Sequence, residues 1–184
     1  MLATPAQAAM DVYGALVSGD AVITGDRINR NGTASTCGAA KPFPGTLPPS
    51  GLRYDQLGYT NTGPAQCVTF QVTGNCPGSG AMLTAYSGSL NPADVSVGYL
   101  GDSGASSNNN TVQSLSLDMA AGQSIQLVVS NGTAVEDCAY HVTSIEPLGT
   151  GTAAAVPSLG QWGLALTGLL AAGLGARRLR RRAA

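Results

Sequence analysis

The feature that most constrains this chain lies near its end. Trp162 to Ala176 is a run of fifteen residues without a charge, and Arg177, Arg178, Arg180, Arg181 and Arg182 close it. An uncharged apolar run with cations on one flank reads as a transmembrane helix whose basic end stays in the cytoplasm. The run is short, because a helix crossing hydrocarbon takes about 20 apolar residues. Counting from Leu159 gives 18 residues, a helix of about 27 Å. Arginine stems snorkel toward the headgroups and make up part of the difference. The five leucines in the run contribute only about 2 to 3 kcal/mol to insertion. A marginal span suits a segment that is handled and removed. A carboxy end pinned in this way leaves the preceding residues to fold outside the cytoplasm.

The residues leading into the run are Val156-Pro157-Ser158-Leu159, two more residues, and Trp162-Gly163. Together with the apolar helix and the terminal arginines, they resemble the IPTL-CTERM sorting tails of Gram-negative bacteria, with the pattern I-P-T-L-x-x-W-G. Pro157, Leu159, Trp162 and Gly163 match that pattern, while Val156 replaces Ile and Ser158 replaces Thr, both close in shape. The resemblance covers positions 156–184. It implies an exported cell-envelope or surface protein whose tail is recognised by an exosortase-like processing enzyme, a membrane-embedded cysteine transpeptidase. A plainer reading makes the same stretch a single-pass anchor, with Trp162 as an interfacial aromatic and Pro157 opening the helix.

Charge divides the chain. All ten acids precede residue 147, against only Arg27, Arg30, Lys41 and Arg53, so the body carries −6 and the tail +5. A mildly acidic body has no basic footprint for nucleic acid. The four cysteines, Cys37, Cys67, Cys76 and Cys138, all lie in the outward part. In an oxidising compartment they read as two disulfides, with three connectivities open. Their spacing lacks the close pairs of a zinc site, and no metal or other cofactor is expected.

Met1 to Met10 ends in small residues, Ala6-Gln7-Ala8, like the cleavage end of a signal peptide without its charged and apolar parts. Residues 1–19 are therefore expected to be a signal-peptide remnant or a disordered terminus, with the true start upstream. Residues 20–146 are expected to form the domain, 147–155 a small-residue linker, and 156–184 the sorting motif, transmembrane helix and basic tail.

Within the domain the punctuation is that of strands. Cys67 to Thr73 alternates most clearly, with Val68, Phe70 and Val72 inward. Further strands are expected at Val22–Ile28, Leu52–Asn61, Met82–Ser87, Val97–Leu100, around Leu115–Leu117, around Ile125–Val129, and at Cys138–Ile145. Ala39 to Gly51, with four prolines, reads as a loop held by Cys37. About eight short strands between Gly, Asn and Pro turns predict an all-β fold, a single antiparallel β-sandwich of jelly-roll type. Asn31-Gly32 and Asn131-Gly132 are read as turns.

Tyr54-Asp55-Gln56-Leu57, the stretch Leu83 to Pro92, Ala120-Ala121-Gly122 before Ile125 to Val129, and Cys138 to Val142 come in an order that resembles bacterial prepeptidase-carboxy-terminal-like domains. These are sandwich modules appended to secreted enzymes and surface proteins. No carboxylate cluster here matches the calcium sites of some relatives.

Catalytic chemistry finds little support. Gly101-Asp102-Ser103-Gly104 resembles the nucleophile loop of trypsin-like proteases, but the chain's one histidine, His141, follows it, whereas that family places its histidine first. The segment is expected to be a turn and His141 a solvent-facing strand residue. No catalytic residue and no enzymatic activity are expected. The rival to a structural or interaction role is an accessory module that binds calcium, a glycan or a protein, carried on a plain anchor.

Overall fold

A computed structural model describes residues 9–76, 78, 80–133 and 135–145, and the regular elements among them are all strands. In chain order they are β1 (Asp11–Leu16), β2 (Val22–Ile23), β3 (Arg27–Ile28), β4 (Thr46–Leu47), β5 (Leu52–Thr60), β6 (Gln66–Asn75), β7 (Ala81–Tyr86), β8 (Tyr99–Asp102), β9 (Gln113–Met119), β10 (Ser124–Asn131) and β11 (Cys138–Ile145). The sorting motif, the apolar run, the arginine cluster, the linker and the start of the chain lie outside the described residues.

Two antiparallel sheets carry the fold. One has the order β1-β11-β6-β9, the other β2-β5-β10-β7-β8, and β3 and β4 form a separate hairpin. With β2 and that hairpin set aside, the eight remaining strands number one to eight along the chain. Their orders become 1-8-3-6 and 2-7-4-5, the strand order of a jelly roll. The connections from β5 to β6, β6 to β7, β8 to β9, β9 to β10 and β10 to β11 all pass between the sheets.

Apolar alternation builds the space between the sheets. Val68, Phe70 and Val72 of β6, with Leu115 of β9 and Val142 of β11, face Leu83 of β7 and Leu127 and Val129 of β10, all fully buried. Tyr59 of β5 meets Phe70 edge-on at a centroid distance of 4.8 Å, the geometry ring quadrupoles favour.

The second sheet is buried on both faces. All six residues of β7 are buried, and on the outer side Met82, Tyr86 and Val128 pack with Tyr54, Ile23, Ile28, Leu90 and Val95. The cover comes from the segments around β2 to β4 and around residues 87–98. Tyr86 donates its hydroxyl proton to the Val95 carbonyl at 3.1 Å, and the Leu90 amide donates to Gln56 Oε1 at 2.8 Å.

Four sequence expectations are corrected here. The sandwich begins before residue 20, since β1 pairs along its full length with β11 from Asp11↔Thr143 to Leu16↔Cys138. The single strand expected over Val22–Ile28 is two short ones, because the Thr24 and Gly25 amides both turn to the Pro92 carbonyl. The proline-rich loop contains β4, which pairs with β3. The strand expected at Val97–Leu100 runs from Tyr99 to Asp102, so it takes in the first half of the Gly101–Gly104 turn.

Both disulfides are intramolecular, and among the described residues no cysteine is free: Cys37 joins Cys67, and Cys76 joins Cys138. The first ties the covering segment to β6 of the opposite sheet. The second staples the start of β11 to the residue after β6.

Candidate functional site

The protease-like segment folds around a buried carboxylate. Asp102, at the end of β8, is wholly buried, and its Oδ1 accepts from Lys41 Nζ at 2.7 Å and from the Gly104 amide at 2.5 Å. Its Oδ2 accepts from the Tyr99 hydroxyl. The Asp102 amide donates to Ser35 Oγ, and its carbonyl accepts from the Ser35 amide. Lys41, only 7% exposed, spends its other two protons on the Thr33 carbonyl at 2.5 Å and Asn31 Oδ1 at 3.1 Å. All three ammonium donors are therefore used. Burial, and then the hydrogen bond to Asp102, push the Tyr99 phenol far above its ordinary range. Tyr86 is likewise raised by burial and by the Asp102 charge.

This cluster is a lock, and Ser103 is bound into it. Ser103 is buried, donates its hydroxyl to the Ala105 carbonyl at 2.8 Å and accepts from the Leu83 amide at 3.3 Å. No histidine reaches it. His141 lies on β11 in the other sheet, where its Nε2 meets Asp11 Oδ1 at 2.6 Å and its ring stacks on Tyr13 at 3.9 Å. His141 turns away from the core as its strand parity requires, but it is partly covered by Tyr13, itself 76% exposed. Nothing local to either residue signals that Lys41 and Asp102, 61 residues apart, meet. The one available signal was that Lys41 is the chain's single lysine, set in a proline-rich loop.

Among the described residues, one group of metal-type donors gathers: Cys37, Cys67 and Asp118. Both sulfurs are spent in the disulfide, and Asp118 Oδ2 accepts from the Gly38 amide at 2.7 Å. A disulfide sulfur has no thiolate to offer a metal, so the group does not fit an ion. Glu136 and Asp137 sit outside the strands, and Asp137 pairs with Arg53 at 2.7 Å.

The tail is where the chain is similar to a known family. Residues 154–181 match the IPTL-CTERM motif. The chain therefore carries a carboxy-terminal sorting signal of the kind handled by an exosortase-like enzyme, and Val156, Pro157, Ser158, Leu159, Trp162, Gly163 and the tail arginines Arg177, Arg178, Arg180 and Arg181 fall within the match, with Arg182 one residue beyond it. With two disulfides in the domain, this places the protein among envelope-associated or extracellular proteins. No curated protein and no solved structure matches the chain, and the likeness of residues 20–146 to prepeptidase-carboxy-terminal-like modules gains no support from those comparisons.

Proposed function

We propose that this is an exported cell-envelope protein in which a jelly-roll payload is delivered by its tail. The tail enters the membrane as a helix stopped by Arg177 to Arg182, and an exosortase-like transpeptidase recognises the Val156-Pro157-Ser158-Leu159 and Trp162-Gly163 residues. Cleavage there frees the domain for the cell surface, while an uncut tail leaves it anchored outside the cytoplasmic membrane. The single observation carrying this reading is the motif match at residues 154–181. The domain serves a structural or interaction role and is not an enzyme. That reading is supported by Ser103, whose hydroxyl is committed to a backbone carbonyl, and by Asp102, whose carboxylate is enclosed by Lys41, Tyr99 and Gly104.

Intact-mass analysis of the protein from its native host, with and without the processing enzyme, tests the proposal. Loss of the segment after the motif only when the enzyme is present is the expected outcome. A full-length tail in both strains reduces the segment to a plain anchor.

A further inference from the structure

The four cations of the domain are not used alike. Lys41 is enclosed around Asp102 and Arg53 pairs with Asp137. Arg27 and Arg30 have no carboxylate within ion-pair distance among the described residues, although the body of the chain carries ten acids. Both instead line one open depression of about 370 Å³, between the β3–β4 hairpin and the Gly104–Ser106 loop, with Asn29 and Leu47 completing its wall. Two guanidinium groups sharing a recess without a counter-charge repel each other. Burial, and then the charge of Arg27, lower the Arg30 pKa from its ordinary value.

We propose that this depression binds an oxyanion-bearing sugar unit, the carboxylate or phosphate of an acidic envelope glycan. Arg30 Nη1 donates to Ser106 Oγ at 2.9 Å, which holds the guanidinium in place and leaves the Ser106 hydroxyl proton for a ligand oxygen. Arg27 Nη1 donates to the Ile28 carbonyl, while its buried Nε has no acceptor. An arriving oxyanion meets the side of the two arginines that lines the recess, and guanidinium groups meet carboxylates and phosphates through paired hydrogen bonds. Leu47, exposed at the rim, offers an apolar surface to a sugar ring.

The frame is built before any ligand arrives. The Gly32 amide bonds the Gly104 carbonyl at 3.0 Å, joining the two sides of the recess. Gly104, at φ +69°, lies so close to Thr33 that a Cβ would sit 2.4 Å from its carbonyl carbon. Asp102 fixes the same loop by accepting from the Gly104 amide, and Lys41 fixes Thr33. The buried lock thus sets the shape of the recess above it.

The site itself stands on this geometry alone, whereas an envelope source for its ligand rests on the export reading. Calorimetric titration of the full-length, disulfide-intact protein with glucuronate, glucose 1-phosphate, inorganic phosphate and neutral glucose tests it at low and at physiological salt. Binding of an anionic probe, none of glucose, and a loss of about tenfold or more in both Arg27→Gln and Arg30→Gln is the expected result. Arg53→Gln, which removes an equal charge elsewhere, should leave affinity within about twofold. A preference for glucuronate assigns an acidic polysaccharide and a preference for the phosphates a phosphorylated glycan, and either supports the site. Silence with every anion, or equal weakening by Arg53→Gln, overturns it. Uncut tails in the native host do not bear on the titration, so the two proposals fail separately.

Discussion

The two sheets share one core but solve opposite problems. In the β1-β11-β6-β9 sheet, β6 alternates buried and half-buried residues along nearly its whole length, because one face meets the core and the other meets water. In the partner sheet, β7 is buried at every position, because the segments around β2 to β4 and around Leu90 and Val95 roof its outer face. The wet sheet is held by its pattern, and the roofed sheet needs long-range ties as well. Those ties are the Lys41–Asp102 pair, the Cys37–Cys67 disulfide and the Tyr86 hydrogen bond. A face covered by loops has few repeating contacts of its own, so each tie counts for more.

Breaking the shared core should have the largest effect and should not distinguish the sheets. Phe70→Ala is expected to cost about 3 to 5 kcal/mol, read by denaturant unfolding with all probes moving together. If only one sheet responds, the two do not share a core.

Removing a roof tie should separate them. Lys41→Met leaves the buried Asp102 carboxylate without its cation, at an expected cost of about 3 kcal/mol. Hydrogen exchange should speed up in residues 29–45 and in β7 and β8 while β6 and β11 stay protected. Uniform acceleration across both sheets would show that the roof is no separate layer.

Alkali offers a milder probe. Tyr86, Tyr99 and Tyr140 are held above their ordinary value of 10.0, in each case first by burial and then by a neighbouring carboxylate, Asp102 for the first two and Asp55 for the third. The folded protein keeps these phenols protonated where the unfolded chain loses its protons. Their contribution is full below about pH 10, the value of an unperturbed tyrosine, and declines as pH rises beyond it. Tyr99→Phe should flatten that decline in a stability-against-pH series. An unchanged slope removes Tyr99 from the account.

The smallest effect belongs to the wet side. Tyr13→Ala removes a stacking partner of His141 at an exposed edge strand and should cost at most about 1 kcal/mol. A larger loss would mean that β1 holds the first sheet together.

What the sequence reveals follows the same division. The Val68-Phe70-Val72 alternation and the inward Tyr140 and Val142 are local patterns, and the structure reproduces them. β1 escaped notice because Gly14 interrupts its pattern. That glycine is required by Tyr140, whose ring lies 2.4 Å from where a Cβ would stand and whose hydroxyl reaches Asp55. The break after Ile23 likewise depends on Pro92, nearly seventy residues away in sequence, where Gly25 also approaches the Ala93 carbonyl. The Arg27 and Arg30 recess was hidden for a related reason: its opposite wall, Gly104 to Ser106, comes from the far side of the chain. The tail, like the strand alternations, could be read without folding, since its signal is a linear order of residues.

The Cys76–Cys138 staple has a mechanical consequence. Asp11 and Thr143 are opposite one another at one end of the β1–β11 pair, while Leu16 and Cys138 close the other. A pull applied at Ile145 would peel β11 from β1 and β6 one rung at a time, the easy direction for a ladder of hydrogen bonds. After the eight residues of β11 it would reach a covalent stop, and the load would pass through sulfur to the residue after β6, a strand still paired with β9. A domain dragged by its carboxy end can therefore give up β11 and the pairing of β1 before the load reaches the β6–β9 pair.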